Sequence, residues 1–295
     1  MGASSRTVDG GMARLTILCF AGTYGLAFLC ELARFAVRNG TRWYLALGLT
    51  VTGWIVHTIY LANLAWSTGE LPIASLRESL LVLAWILAVV DLYLVLRAPK
   101  SIAVGLFVLP VVIGLSTFGG LAKPAVETGR WGNWVTFWGS VHGLFLMAGA
   151  AATSVAFVAG LMYLSQANRL KNKRPVRFGL KLPSLELSER INRGAITLAF
   201  PLLTVGFFTG IALTLALHRG GGETLRWNDA KVVSTAILWL LFAALLNARY
   251  RPAMRGRRVM FLTIAAFCFM LFTWAGVGVL LPTEHGAKPG AGGPP

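Results

Sequence analysis

The sequence predicts an all-α protein: a polytopic transmembrane helical bundle of about eight spans, with both termini external. Three observations predict it. Of 295 residues, 56% are hydrophobic and only 13% are charged, with a mean hydropathy of +0.68, whereas a soluble domain carries about 25% charge. Apolar runs recur at about twenty residues, the length that crosses a hydrocarbon core as a helix. The short segments between the runs are basic, and unevenly so.

The spans follow in chain order. Residues 15–37 open after Arg14. With no small-residue cleavage site behind them, they are expected to form a retained span rather than a removed leader. Residues 43–66 carry His57 near their middle, in "GWIVHTIYL". Residues 75–96 and 102–121 come next, the latter with Pro110 inside. Residues 137–166 follow a tryptophan-rich stretch, and residues 191–217 contain Pro201. Proline is tolerated in a span because neighbouring helices satisfy the freed carbonyls. Residues 232–247 make a short seventh span that is expected to start earlier, and residues 259–281 make the eighth. No segment between spans is long enough to bury a core, so residues 1–295 read as a single integral membrane domain. Residues 283–295 read as a flexible tail, from "HGAKPGAGGPP".

Lysine and arginine set the orientation. The segment Arg169–Arg193, with "RLKNKRPVR", is taken as cytoplasmic. Arg34, Arg38, Arg42, Arg97, Lys100, Arg249, Arg251, Arg255, Arg257 and Arg258 then share its side, which receives 18 of the 27 basic residues. The protein is expected in the cell's inner, cytoplasmic membrane. The net charge of +16 sits in short loops that meet lipid head groups, which argues against a nucleic-acid partner. Cys19, Cys30 and Cys268 lie inside apolar runs, and no CxxC or CxxCH occurs. Thiol-redox chemistry and covalent haem attachment to this chain lack support. Glu31 and Asp91 lie toward the cytoplasmic ends of their spans beside arginines, where snorkelling or pairing is expected.

This topology puts His142, His218 and His285 at the outer side and leaves only His57 well inside a span. His142 closes the stretch "WGNWVTFWGSVH". On a helix, Trp131, Trp134, Trp138 and His142 fall within an arc of about 80°, with Gly132 and Gly139 beside it. One reading is an aromatic belt at the membrane interface. The other is a shelf for a large planar ligand. An imidazole at the end of three indoles suits haem, which needs axial nitrogen donors and an apolar wall. His142 and His285 are the candidate metal ligands. In "HRGGGETLRWND", Arg219 and Arg226 suit haem propionates, Trp227 adds a ring, and His218 is either a further donor or an ordinary loop residue. His57 is either a haem ligand or relay, or a neutral histidine hydrogen-bonded between helices. A transporter lacks support, since no paired half-helix signature occurs. A metalloenzyme lacks support too, since no H-x-x-x-H or E-x-x-H occurs.

Three segments also carry a resemblance. They are "LPIASLRESLLVLAW" (Leu71–Trp85), "LPSLELSERINRGAITLAFPLLTVGFFTG" (Leu182–Gly210) and "AKVVSTAILWLLFAALLNARYRPAMRGRR" (Ala230–Arg258), the last with Lys231 and Trp239. Together they resemble the CcsA/HemX-like cytochrome c assembly family of haem-handling membrane proteins, over most of Leu71–His285. The resemblance implies a haem site at an outer tryptophan-rich loop between two external histidines, matched by His142 and His285, and an early intramembrane histidine, matched by His57. Asn247 stands where the family has a second intramembrane histidine. "RWNDAK" keeps only Trp227, Asp229 and Lys231 of the family's tryptophan signature. The chain is similar to the smaller eight-span HemX type. The implied function is non-enzymatic: holding non-covalent b-type haem at the outer face and passing it to a membrane-bound partner, and through it to apocytochrome c. The implied alternative is a HemX-type regulator of haem biosynthesis.

Reporter fusions after Lys173 and after Pro295 are expected to report opposite sides of the membrane. Matching reports would overturn both the span count and the shared side of His142, His218 and His285.

Overall fold

In a computed structural model of the chain, residues 2–33, 40–69, 71–73, 75–97, 104–122, 133–173, 183–219, 229–250 and 256–277 are described. They form eight helices and no strand among the described residues: α1 Gly2–Ala33, α2 Gly40–Thr68, α3 Leu76–Arg97, α4 Gly105–Leu121, α5 Asn133–Lys171, α6 Leu185–Arg219, α7 Ala230–Tyr250 and α8 Arg257–Leu271. A π-helical turn, Phe272–Gly276, extends α8. Seven helices are long and apolar enough to cross a membrane. The protein is a multi-pass membrane protein. The span expected at 102–121 appears as α4, whose 17 residues rise only about 25 Å. Residues 102 and 103 lie outside the described residues, as does the expected tail at 283–295.

Several helix starts carry their own caps. At α3, the Ser75 hydroxyl accepts from the Glu78 backbone N–H at 3.2 Å, and the Glu78 carboxylate accepts from the Ser75 N–H at 3.3 Å. This reciprocal pair is a capping box on the pattern S-x-x-E. The Ser184 hydroxyl accepts from the Leu187 N–H at 3.2 Å, so α6 begins at Leu185, earlier than the expected 191. At α7, Asp229 Oδ1 accepts from the Lys231 N–H at 2.8 Å, which starts the seventh helix at Ala230. In each case a side chain satisfies an N–H that has no partner within the helix.

The helices form two compact units, Met1–Pro124 with Leu161–Ser188, and Ala125–Gly160 with Glu189–Pro295. In the first, α1 packs on α2 and α4, and α3 packs on α2 and α4, so the four make a ring. Ile17 meets Gly120 while Glu31 meets Gly105, which makes α1 and α4 antiparallel. The Trp85 indole donates to the Thr58 hydroxyl at 2.8 Å and stacks on Trp54.

In the second unit, α5 and α6 run antiparallel in close contact. A Cβ added at Gly149 would lie 2.7 Å from the Leu203 side chain, and one at Gly206 would lie 2.6 Å from Leu146. The Asn192 amide donates to the Ala156 carbonyl at 2.8 Å and to the Thr263 hydroxyl at 3.4 Å. Phe157 stacks on Phe267 of α8 at 4.2 Å. The Trp239 indole of α7 donates to the Thr204 hydroxyl at 3.0 Å and stacks on Phe200 and Phe207. Buried Arg249 donates to the Glu189 carbonyl at 2.7 Å and ties the end of α7 to α6.

Gly149→Ala is expected to lower the melting temperature of the detergent-solubilised protein, because a methyl forced against Leu203 costs about 1–3 kcal/mol. Gly114→Ala, whose Cβ meets nothing within 4 Å, is expected to hold or raise it, since alanine favours helix over glycine by up to about 1 kcal/mol.

Candidate functional site: His142 and the tryptophan face of α5

His142 lies in the third turn of α5, and α6 holds it. Its Nδ1 is 2.7 Å from the Gly206 carbonyl oxygen. A carbonyl only accepts, so Nδ1 carries the proton. In a neutral imidazole the other nitrogen then keeps the lone pair. Among the described residues Nε2 has no hydrogen-bond partner. The ring passes over Gly210, where an added Cβ would lie 2.6 Å from His142 Cε1. Only glycine leaves that space.

Trp134, Trp138 and His142 follow one another at i, i+4 and i+8 of a continuous helix and share a face. Trp134 is 56% exposed and Trp138 is 37% exposed, with ring centroids 6.2 Å apart. Phe137 meets Trp138 edge-on at 5.6 Å. The face is apolar, aromatic and partly exposed among the described residues, and a nitrogen lone pair lies at its inner end. Such a set can take an apolar planar ligand together with a metal ion.

The other expected residues fall in different places. Trp131, Arg226, Trp227 and His285 lie outside the described residues. His218 is the penultimate residue of α6, eight positions beyond Gly210, or about 12 Å further along the helix axis. His57 is in the first unit and fully buried. Phe20 lies flat on its ring at 4.0 Å and 6°, and the Tyr24 hydroxyl is 3.5 Å from its Nδ1. Among the described residues His57 Nε2 is buried with no hydrogen-bond partner. An unsatisfied buried nitrogen costs about 1–3 kcal/mol and marks a position that packing alone does not explain.

Two residues expected to snorkel or to pair with adjacent arginines are buried, and Arg34 and Arg38 beside Glu31 lie outside the described residues. Glu31 and Asp91 are 3% and 1% exposed. Both turn toward Gly105, where an added Cβ would lie 3.3 Å from Glu31 Cγ and 3.6 Å from Asp91 Oδ1. Among the described residues Asp91 Oδ1 is buried without a hydrogen-bond partner. The missing side chain at Gly105 makes the room, a tertiary effect that spacing along one helix does not reveal. Asn247, at the position of the second intramembrane histidine in the resemblance, lies on an open face of α7 with Ala243, Leu246 and Tyr250.

Comparison with known proteins sets this geometry in a family. Residues 73–285 match the family described as Cytochrome C assembly protein. Protein HemX of Bacillus subtilis (strain 168) is 26% identical over 280 residues, covering 92% of this chain and 97% of that protein. Cytochrome c biogenesis protein CcsA of Synechococcus sp. (strain CC9605) is 28% identical over 299 residues, covering 90% and 95%. Among solved structures, Cytochrome c Heme Lyase CcmF has the same fold over 92% of this chain, with a TM-score of 0.60 at 17% identity. The chain spans 51% of that larger protein. The family match takes in most of the chain and both helices that frame His142, so the protein belongs to the cytochrome c assembly family.

Proposed function

We propose that this protein holds haem non-covalently at the outer face of the cell's cytoplasmic membrane and passes it to a membrane partner for attachment to apocytochrome c. One observation carries the reading: an imidazole with Nδ1 bound to a backbone carbonyl and Nε2 unpartnered among the described residues, at the end of an exposed tryptophan face. Metal-ligating histidines have this arrangement, in which the second nitrogen donates to a carbonyl and so fixes the tautomer. The residues present therefore fit haem.

In this reading His142 and His285 are the axial ligands. Trp131, Trp134 and Trp138 wall the porphyrin, and Arg226 with Trp227 and His218 meet its outer edge. His57 is a second, inner candidate, with Phe20 covering one face of its ring. Haem is cargo here, and what it supplies is the iron that two imidazoles hold. The chain's own residues bind, orient and exclude water. The reading requires no nucleophile or general base from them. The family description and the name of the relative CcsA support cytochrome c maturation as the setting.

The near full-length similarity to HemX favours a second reading, a membrane regulator of haem biosynthesis acting through its basic cytoplasmic loops. Deletion of the gene separates the two. A delivery protein's loss is expected to abolish covalently bound haem in c-type cytochromes, with total haem and b-type cytochromes near normal. Normal covalent haem with altered haem precursors would falsify delivery and put regulation in front.

A further inference from the structure

We propose that α6 selects the nitrogen His142 offers to a ligand: the Gly206 carbonyl takes the Nδ1 proton, and the bare Cα of Gly210 gives the ring room to reach it. In naming iron as the atom that meets Nε2, the proposal rests on the haem-binding reading. The selection itself rests on geometry alone.

The partner of Nδ1 is a carbonyl oxygen, which can only accept, so the proton must lie on Nδ1. Nδ1 is 2.7 Å from the Gly206 oxygen. That oxygen sits within a continuous helix and also accepts from the Gly210 N–H four residues on. A carbonyl has two lone pairs, and these two donors use both. The Thr209 hydroxyl is 2.8 Å from the Gly206 oxygen and equally 2.8 Å from the Val205 oxygen. Its single proton goes to Val205 at no loss, which leaves Gly206 to the imidazole.

Gly210 is a positioning residue. A Cβ there would lie 2.6 Å from His142 Cε1 and 2.9 Å from Nδ1. A methyl therefore pushes the ring off the carbonyl and frees it to adopt the other tautomer. Gly149 gives a matched control. Its Cβ would crowd the same pair of helices at 2.7 Å, but against Leu203 and away from the imidazole. Donation from Nδ1 to a carbonyl makes Nε2 a more basic ligand and fixes its direction. The coordinating strength of an α5 side chain is thus set from α6.

The chain has four histidines, which makes selective labelling informative. In the full-length protein with 15N-labelled histidine, in nanodiscs, one imidazole is expected as the Nδ1–H tautomer. It is assigned by its loss in His142→Ala. Gly210→Ala is expected to shift that signal toward the Nε2–H form or a mixture, and Gly149→Ala to leave it. In parallel, Gly210→Ala is expected to weaken haem retention per folded molecule by about 10- to 100-fold, with recovery on adding free imidazole, while Gly149→Ala leaves retention unchanged. A wild-type His142 protonated at Nε2, or equal effects of the two glycine variants, would overturn the proposal. If His142→Ala loses haem but Gly210→Ala keeps both haem and tautomer, the haem reading stands and the proposal alone falls. If His142→Ala keeps haem as the wild type does, the haem reading at His142 fails and the role of α6 in coordination goes with it.

Discussion

The approach of α5 to α6 is the constraint on which the second unit depends. Inside a bilayer, apolar side chains gain little by leaving lipid for protein, so helices associate through close backbone contact and interhelical hydrogen bonds. Gly149, Gly206 and Gly210 supply the contact, and each meets a side chain at a distance no larger residue allows. Asn192 supplies the hydrogen bond at the other end of the pair, to the Ala156 carbonyl. With the helices this close, a backbone carbonyl of one comes within reach of a ring on the other. The part of that contact made at Gly206 and Gly210 also orients the imidazole.

Tryptophan does two different jobs in this chain. Trp85 and Trp239 lie between helices, and each donates its indole N–H to a threonine on a neighbour, Thr58 and Thr204 respectively. These are polar ties in an apolar medium, with the flat rings filling space between helices. Trp134 and Trp138 are 56% and 37% exposed and meet each other at 6.2 Å. Composition alone does not separate the two groups, since both sit in apolar runs.

Much of the fold was legible because the bilayer restricts the choices. Apolar runs of the right length mark the helices. The shared face of Trp134, Trp138 and His142 followed from helical period alone. What was not legible depends on neighbouring helices. The inward turn of Glu31 and Asp91 needs the space at Gly105. The seating of His142 needs Gly206 and Gly210, sixty-four and sixty-eight positions downstream. The stretch "LLTVGFFTG" already held the signal, two glycines four apart on one helix face. Their partner was not readable from that helix alone. His57, read as either ligand or core residue, keeps features of both: a stacked, fully buried ring and an unpartnered Nε2.

The π-helical turn Phe272–Gly276 has a consequence for divergence among relatives. Such a turn is a one-residue insertion absorbed without breaking the helix, and the Phe272 ring lies where a side chain at residue 276 would project. One residue more or less in this turn changes the helix's phase by about 100°, not its continuity. The heading of a chain leaving such a turn therefore depends on the number of residues within it. Two relatives with matching residues on α8 but a different count within the turn would aim their downstream segments in different directions.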